Sequence, residues 1–141
     1  MNYSRRDLRL LLPILASAGA VAQTKTALPS KAFKYDDLPV HVSGQNKGRA
    51  VMQGDTHSSV PVELHLTELG EGQAPHPPHK HVHEEMLLLQ SGTVNVTING
   101  QTTRLTPGSV AYVASNDDHG WRNPGPGRAQ YFVVALGRDD G

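Results

Sequence analysis

The chain has 141 residues, of which 37% are hydrophobic and 5% aromatic, with 13 Lys+Arg against 13 Asp+Glu, 8 His and no Cys. That length supports one domain around one ordinary core, and a net charge of zero with few aromatics excludes a basic or base-stacking surface for nucleic acid. The missing Cys excludes a disulfide framework, a thiolate zinc site, an iron–sulfur cluster and a Cys nucleophile, so histidine is the residue to follow.

Residues 1–22 read as a targeting segment. Ser4-Arg5-Arg6-Asp7-Leu8-Arg9 precedes the apolar run Leu10 to Ala22, which ends in the small residues Ala20-Val21-Ala22. A helix needs about 20 apolar residues to cross a bilayer, and this run is shorter. Small residues at that spacing suit a signal peptidase. The paired arginines and the mildly hydrophobic, Ala- and Gly-rich run resemble a twin-arginine export signal. Pro13 and Gly19 argue against a helix of the mature fold. Cleavage after Ala22 removes Arg5, Arg6 and Arg9 but only one acid, Asp7, so the mature chain is mildly acidic. The expected location is periplasmic or secreted, with no membrane span in the mature chain.

Residues 23–47 carry Lys25, Lys31, Lys34 and Lys47 among Pro, Ser and Gly, with no sustained period. They read as a linker and N-terminal arm ahead of a folded unit over 48–141. From about Arg49 the pattern is strand-like. Val60, Val62, Leu64 and Leu66 alternate with Pro61, Glu63, His65 and Thr67, and Val94, Val96 and Ile98 alternate with Thr93, Asn95 and Thr97. Asn99-Gly100 predicts a tight hairpin, because both residues accept the positive φ of a type I′ turn. Gln101–Leu105 is then the return strand, Pro107-Gly108 turns the chain into Ser109–Ala114, and Ala129–Leu136 is a closing strand. Pro75, Pro77 and Pro78 make residues 70–78 a loop. Short strands between Gly/Pro turns, with no 3.6-residue stripe, predict an all-β barrel or sandwich.

Residues 76–85 read His-Pro-Pro-His-Lys-His-Val-His-Glu-Glu. On an extended chain, residues of one parity face one side, so His79 and His81 look into one space and Glu85 returns to it after a short bend. Two imidazoles and a carboxylate suit Fe, Mn, Ni, Co or Zn. Met86-Leu87-Leu88-Leu89 follows and supplies a dry wall. His119, in Asp118-His119-Gly120-Trp121-Arg122-Asn123, is the candidate fourth ligand; His41, His57 and His65 lack such a setting. His76 and His83 are expected beside the ligands or exposed, with His83 able to replace one of the pair if the register shifts. Glu84 and Arg122 are expected to face outward, Trp121 to line the pocket or the core, and Asn123 to bond backbone at a turn.

The order Gly72, His79-x-His81-x3-Glu85-x6-Gly92 and, some thirty residues on, His119-x3-Asn123 resembles the two motifs of the cupin superfamily, here a small single-domain type-2 cupin. The leading Gly72 is one residue early, and Ala114 and Asn116 stand where the second motif has Pro and Gly. Over roughly Val60 to Leu136 the resemblance implies a small jelly-roll (double-stranded β-helix) barrel. It implies that His79, His81, Glu85 and His119 bind one divalent metal ion. It also implies a homodimer, since small cupins are commonly dimers.

Three His and one Glu leave one or two positions open on an octahedral ion, a catalytic rather than a structural pattern. The leading expectation is an oxygenase-type enzyme acting on a small oxygenated organic substrate. The alternatives are a metal-dependent isomerase or lyase, and a non-catalytic small-ligand-binding module. Glu85 is the candidate catalytic base, and Glu63, His65 and Gln90 are the candidates for a further acid–base group, with their facing left open by the sequence. Export of an already folded chain lets the metal load in the cytoplasm, which favours weakly held Mn or Fe over Ni, Co, Zn or Cu.

Overall fold

The computed structural model describes residues 26–138. The leader expected over 1–22 lies outside the described residues. Nine strands follow one another: β1 (Val40–Ser43), β2 (Asn46–Asp55), β3 (Pro61–Leu69), β4 (Glu84–Ser91), β5 (Val94–Ile98), β6 (Gln101–Leu105), β7 (Val110–Val113), β8 (His119–Arg122) and β9 (Ala129–Leu136). A 3-10 turn at Tyr35–Asp37 precedes them. One sheet has the order β1-β2-β3-β9-β4-β7 and the other β6-β5-β8, and the paired strands run antiparallel. This all-β, two-sheet jelly roll is the expected fold class.

The turn chemistry explains much of the chain's path. Asn99 and Gly100 take φ of 48° and 81°, the left-handed pair that closes the β5–β6 hairpin. Asn116 adopts φ 64°, a conformation Asn tolerates, so no glycine is required there. Gly92 is different: at φ 76° its missing Cβ would collide with the Arg128 carbonyl and lie 2.7 Å from Ala129 Cα. The β4–β5 connection passes directly against the start of β9, and only glycine permits that approach.

Alternation then sorts the side chains. The β3–β9–β4 register sets Glu63 opposite Ala135 and Ala135 opposite Glu85. One step along, His65, Val133 and Leu87 form a row, then Thr67, Tyr131 and Leu89. These rows face the barrel interior, where Leu69, Leu87, Leu89, Val94, Val96, Leu105, Val113, Trp121, Ala129, Tyr131 and Val133 form the core. Leu66, although buried, lies on the opposite face of β3.

The N-terminal stretch is more ordered than its sequence pattern. β1 lies wholly within residues 23–47, and β2 begins at Asn46. The preceding residues pack on the sheet: Leu28 N–H donates to the Asp55 carbonyl at 2.9 Å, and Tyr35 donates its hydroxyl to Glu68 at 3.0 Å. The Arg49 guanidinium sits 4.2 Å from the Tyr35 ring centre and donates to the Leu38 carbonyl. Four-residue β1 is too short to show a period, and its partner across the hairpin, not its composition, makes it a strand.

Candidate metal centre

Three elements converge at one end of the barrel. The loop before β4 carries His79, His81 and His83, β4 opens with Glu84 and Glu85, and β8 starts at His119. A backbone bridge ties the loop to β8, with His79 and His119 exchanging N–H···O bonds of 2.9 Å in both directions. Gly120 makes that approach possible, since a Cβ there would press to within 3.1–3.3 Å of Pro78. Pro78, the last proline before His79, thus packs against β8.

The structure brings the four sequence-predicted ligands together. The His79, His81 and His119 rings lie with centres 4.8–5.1 Å apart. Each offers a ring nitrogen within 4.8 Å of those of the other two. Glu85 Oε2 is 3.2 Å from His119 Nε2 and 3.5 Å from His81 Nε2. His119 is almost wholly buried, at 1% exposure.

The hydrogen bonds define the ring states. His119 Nδ1 lies 2.9 Å from the Asp117 carbonyl, and His81 Nδ1 2.8 Å from the His83 carbonyl. A carbonyl only accepts, so in both rings Nδ1 carries a proton and Nε2 is the nitrogen turned toward Glu85. Both Nε2 atoms face the same Glu85 oxygen, and His119 Nε2 lies within hydrogen-bond distance of it. His81 Nε2 is buried with no hydrogen-bond partner, and so is His79 Nδ1. Three imidazoles and one carboxylate converging around two unpartnered buried ring nitrogens form a donor set suited to a first-row divalent ion. The backbone carbonyls behind His81 and His119 hold ring orientation and tautomer as the outer partners of a metal-bound imidazole do. Burial above all, and then the neighbouring His76, His119 and His81, hold the His79 imidazole below its usual value of 6.5, in its neutral, ligating form.

The surrounding residues divide clearly. His83 was expected beside the ligands or exposed. Its ring stacks on His81 at 3.6 Å, tilted by only 9°, and its Nε2 is 3.6 Å from Glu85 Oε1. The signal was available, because His83 shares the parity of His79, His81 and Glu85. His81, His83 and Glu85 form a second group able to hold an ion. His76 is exposed and packs edge-on to His79 at 4.3 Å. Trp121 joins the core, donating its indole N–H to the Tyr131 hydroxyl at 2.9 Å while its ring lies 5.6 Å from His119. Burial raises the Tyr131 phenol far above its ordinary value, so it stays protonated.

Asn123 is buried and spans the Leu69, Gly70 and Gly127 carbonyls with its Nδ2 while accepting from Gly125 N–H. Arg122 is exposed and donates to the Gly72 carbonyl at 2.7 Å. Of the three acid–base candidates, Gln90 is exposed on the face of β4 away from the centre. Glu63 and His65 share the interior face with Glu85 and pair at 3.3 Å.

A family model described as a cupin domain matches residues 65–135. No curated protein matches the chain in sequence. Among solved structures, KdgF from Halomonas sp. is 19% identical, with a TM-score of 0.66 over 78% of this chain and 97% of its own. An RmlC-like cupin from Shewanella frigidimarina is 18% identical, with a TM-score of 0.64 over 79% and 95%. The polyketide cyclase RemF from Streptomyces resistomycificus is 16% identical, with a TM-score of 0.64 over 80% and 83%. At these identities the likeness is one of fold.

Proposed function

The chain belongs to the cupin domain family, and from that premise we propose that it is a metal-dependent enzyme that binds one divalent ion through His79, His81, Glu85 and His119. The observation that carries this reading is the convergence of the His81 and His119 Nε2 atoms on one Glu85 oxygen, at 3.5 and 3.2 Å, with His81 Nε2 and His79 Nδ1 buried and lacking a hydrogen-bond partner. A bound redox-active ion, Mn or Fe, would supply electrons for the reaction of a catecholate- or enolate-type substrate with oxygen. Four protein ligands leave room on such an ion for a small oxygenated organic molecule.

The chain's own residues supply the setting. Leu87, two residues beyond Glu85 on the same face, and Trp121, two beyond His119, form dry walls that exclude water and strengthen electrostatic contacts at the centre. Glu85 is the group placed to take a substrate proton. Its Oε1 lies 3.6 Å from His83 Nε2, so an accepted proton has a nearby carrier. That second oxygen also favours the runner-up reading, in which the ion polarises a carbonyl and Glu85 with His83 moves protons in an isomerase or lyase reaction. The third reading is a binding module without chemistry.

Metal analysis of natively exported protein, with oxygen uptake on catechols, flavonols and β-diketones, tests these readings. Stoichiometric Mn or Fe with substrate-dependent oxygen consumption is expected. Active protein filled with zinc or copper overturns the metal assignment. Turnover without oxygen selects the isomerase or lyase, and binding without turnover selects the module. Export by the twin-arginine-like leader is part of the proposal, and a mature N-terminus at Gln23 in the periplasmic fraction is its expected signature.

A further inference from the structure

Beside the proposed metal centre lies a cavity of about 410 Å³ whose lining includes Gln53, Asp55, Glu63, His83, Ala135 and Arg138. Its place follows from the register. Glu63, Ala135 and Glu85 occupy one row across β3, β9 and β4, and all three lie on the same face of the sheet. Two strand spacings separate the Glu63 and Glu85 backbones by about 10 Å, and the residue between them is alanine, which leaves that width open. His83 serves both compartments, since it lines the cavity and contacts Glu85.

The far wall is polar and oriented. Glu63 sits opposite Gln53 on β2, which brings a carboxylate and a carboxamide side by side. His65, on the same face two residues along, places Nδ1 3.3 Å from Glu63 Oε1 and so holds that carboxylate in one orientation. A carboxylate beside an amide, half exposed to a cavity, is the donor–acceptor pattern that takes hydroxyl groups, because each hydroxyl can both donate and accept.

We propose that this cavity is a second recognition site for the substrate, in which Glu63, positioned by His65, and Gln53 hold the hydroxyls of a small polyhydroxylated acid whose carboxylate end lies at the metal centre. This rests on the metal-dependent reading of the His79/His81/Glu85/His119 centre and narrows its substrate class. Glu63 and Gln53 touch the substrate, and His65 is a positioning residue.

The test is calorimetric binding of D-gluconate and of 2-hydroxyhexanoate to the folded chain, both Mn(II)-loaded and metal-free. The probes share six carbons and an α-hydroxy acid head and differ only in the hydroxyls of the tail. Gluconate is expected to bind at least about tenfold more tightly, the size of one lost hydrogen bond to a charged acceptor. Glu63→Ala is expected to erase that preference and Glu63→Gln to keep part of it. His65→Ala should weaken it, with His65→Asn restoring part, and Mn(II) stoichiometry should stay at the wild-type level throughout. Glu63 is solvent-exposed, so these variants are expected to fold, and their melting curves check it. Equal affinity for the two probes, no binding of either, or a preference that survives Glu63→Ala overturns the proposal. Failure of the wild type to take Mn(II) counts against the metal reading alone, and the gluconate preference of the metal-free protein then decides this one.

Discussion

Along β4, Glu85, Leu87 and Leu89 point to the same side, yet the first meets imidazoles and the other two belong to the hydrophobic core. β8 repeats the contrast within four residues, where His119 faces the cluster and Trp121 the core. One half of the barrel interior is dry and close-packed, and the other gathers polar groups that lack sufficient partners of their own. Stability and chemistry therefore occupy different halves of the same strands. A residue can be removed from one half with limited damage to the other.

The largest test of that division removes a ligand. His81→Ala or Glu85→Ala is expected to abolish stoichiometric metal binding, measured by elemental analysis, while circular dichroism still reports a folded β protein. The variants should also lose the stabilisation that excess metal gives the wild type, about 3–4 kcal/mol at hundreds of times the dissociation constant. A variant that unfolds outright would show that the two halves are not separable.

The converse change strikes the dry half. Leu87→Ala deletes a side chain that is 1% exposed, and an expected loss of about 2–5 kcal/mol can be read from the denaturant midpoint. Metal stoichiometry of the remaining folded protein should hold. Tyr131→Phe probes the seam between the halves, because it leaves the buried Trp121 N–H without its acceptor. About 1–3 kcal/mol should be lost, and Trp121→Phe added to it should cost less than the sum of the two single changes.

The smallest effect is a slope with pH in the metal-free protein. The His79 imidazole is held below 6.5 when folded, so the unfolded chain takes up a proton that the folded one resists. Its contribution to stability is complete above 6.5 and is lost as the pH falls below that value toward the depressed one. Midpoints in urea should decline over that window, and His79→Gln should flatten the part of the decline due to this residue.

Strand positions were legible where the chain states them twice, by alternation and by turn chemistry. β6 and β9 coincide with the expected Gln101–Leu105 and Ala129–Leu136, and the Asn99-Gly100 hairpin has the predicted positive φ values. β1 was not legible, since Val40 and Val42 around His41 say little until β2 lies beside them. The four expected ligands could be named because short-range parity and one distant histidine marked them. The positions of Glu63 and His65 on the face of the sheet that carries Glu85 could not be read in the same way. They depend on which strands become neighbours, and β3 meets β4 only through β9, some seventy residues further on.

The sequence by itself therefore determined the kind of fold and the kind of site. Local alternation, left-handed turn residues and a dense run of histidines are properties of neighbouring residues, and they survive without a tertiary structure. Only the tertiary structure decided the state of the site. That the Nε2 atoms of His81 and His119 meet at one carboxylate depends on the bridge that brings β8 against the loop before β4. That Glu63 shares a row with Glu85 depends on a register summed over two strand pairings. Convergence of the ligands and strand register are set by packing between distant segments, and no local pattern encodes them.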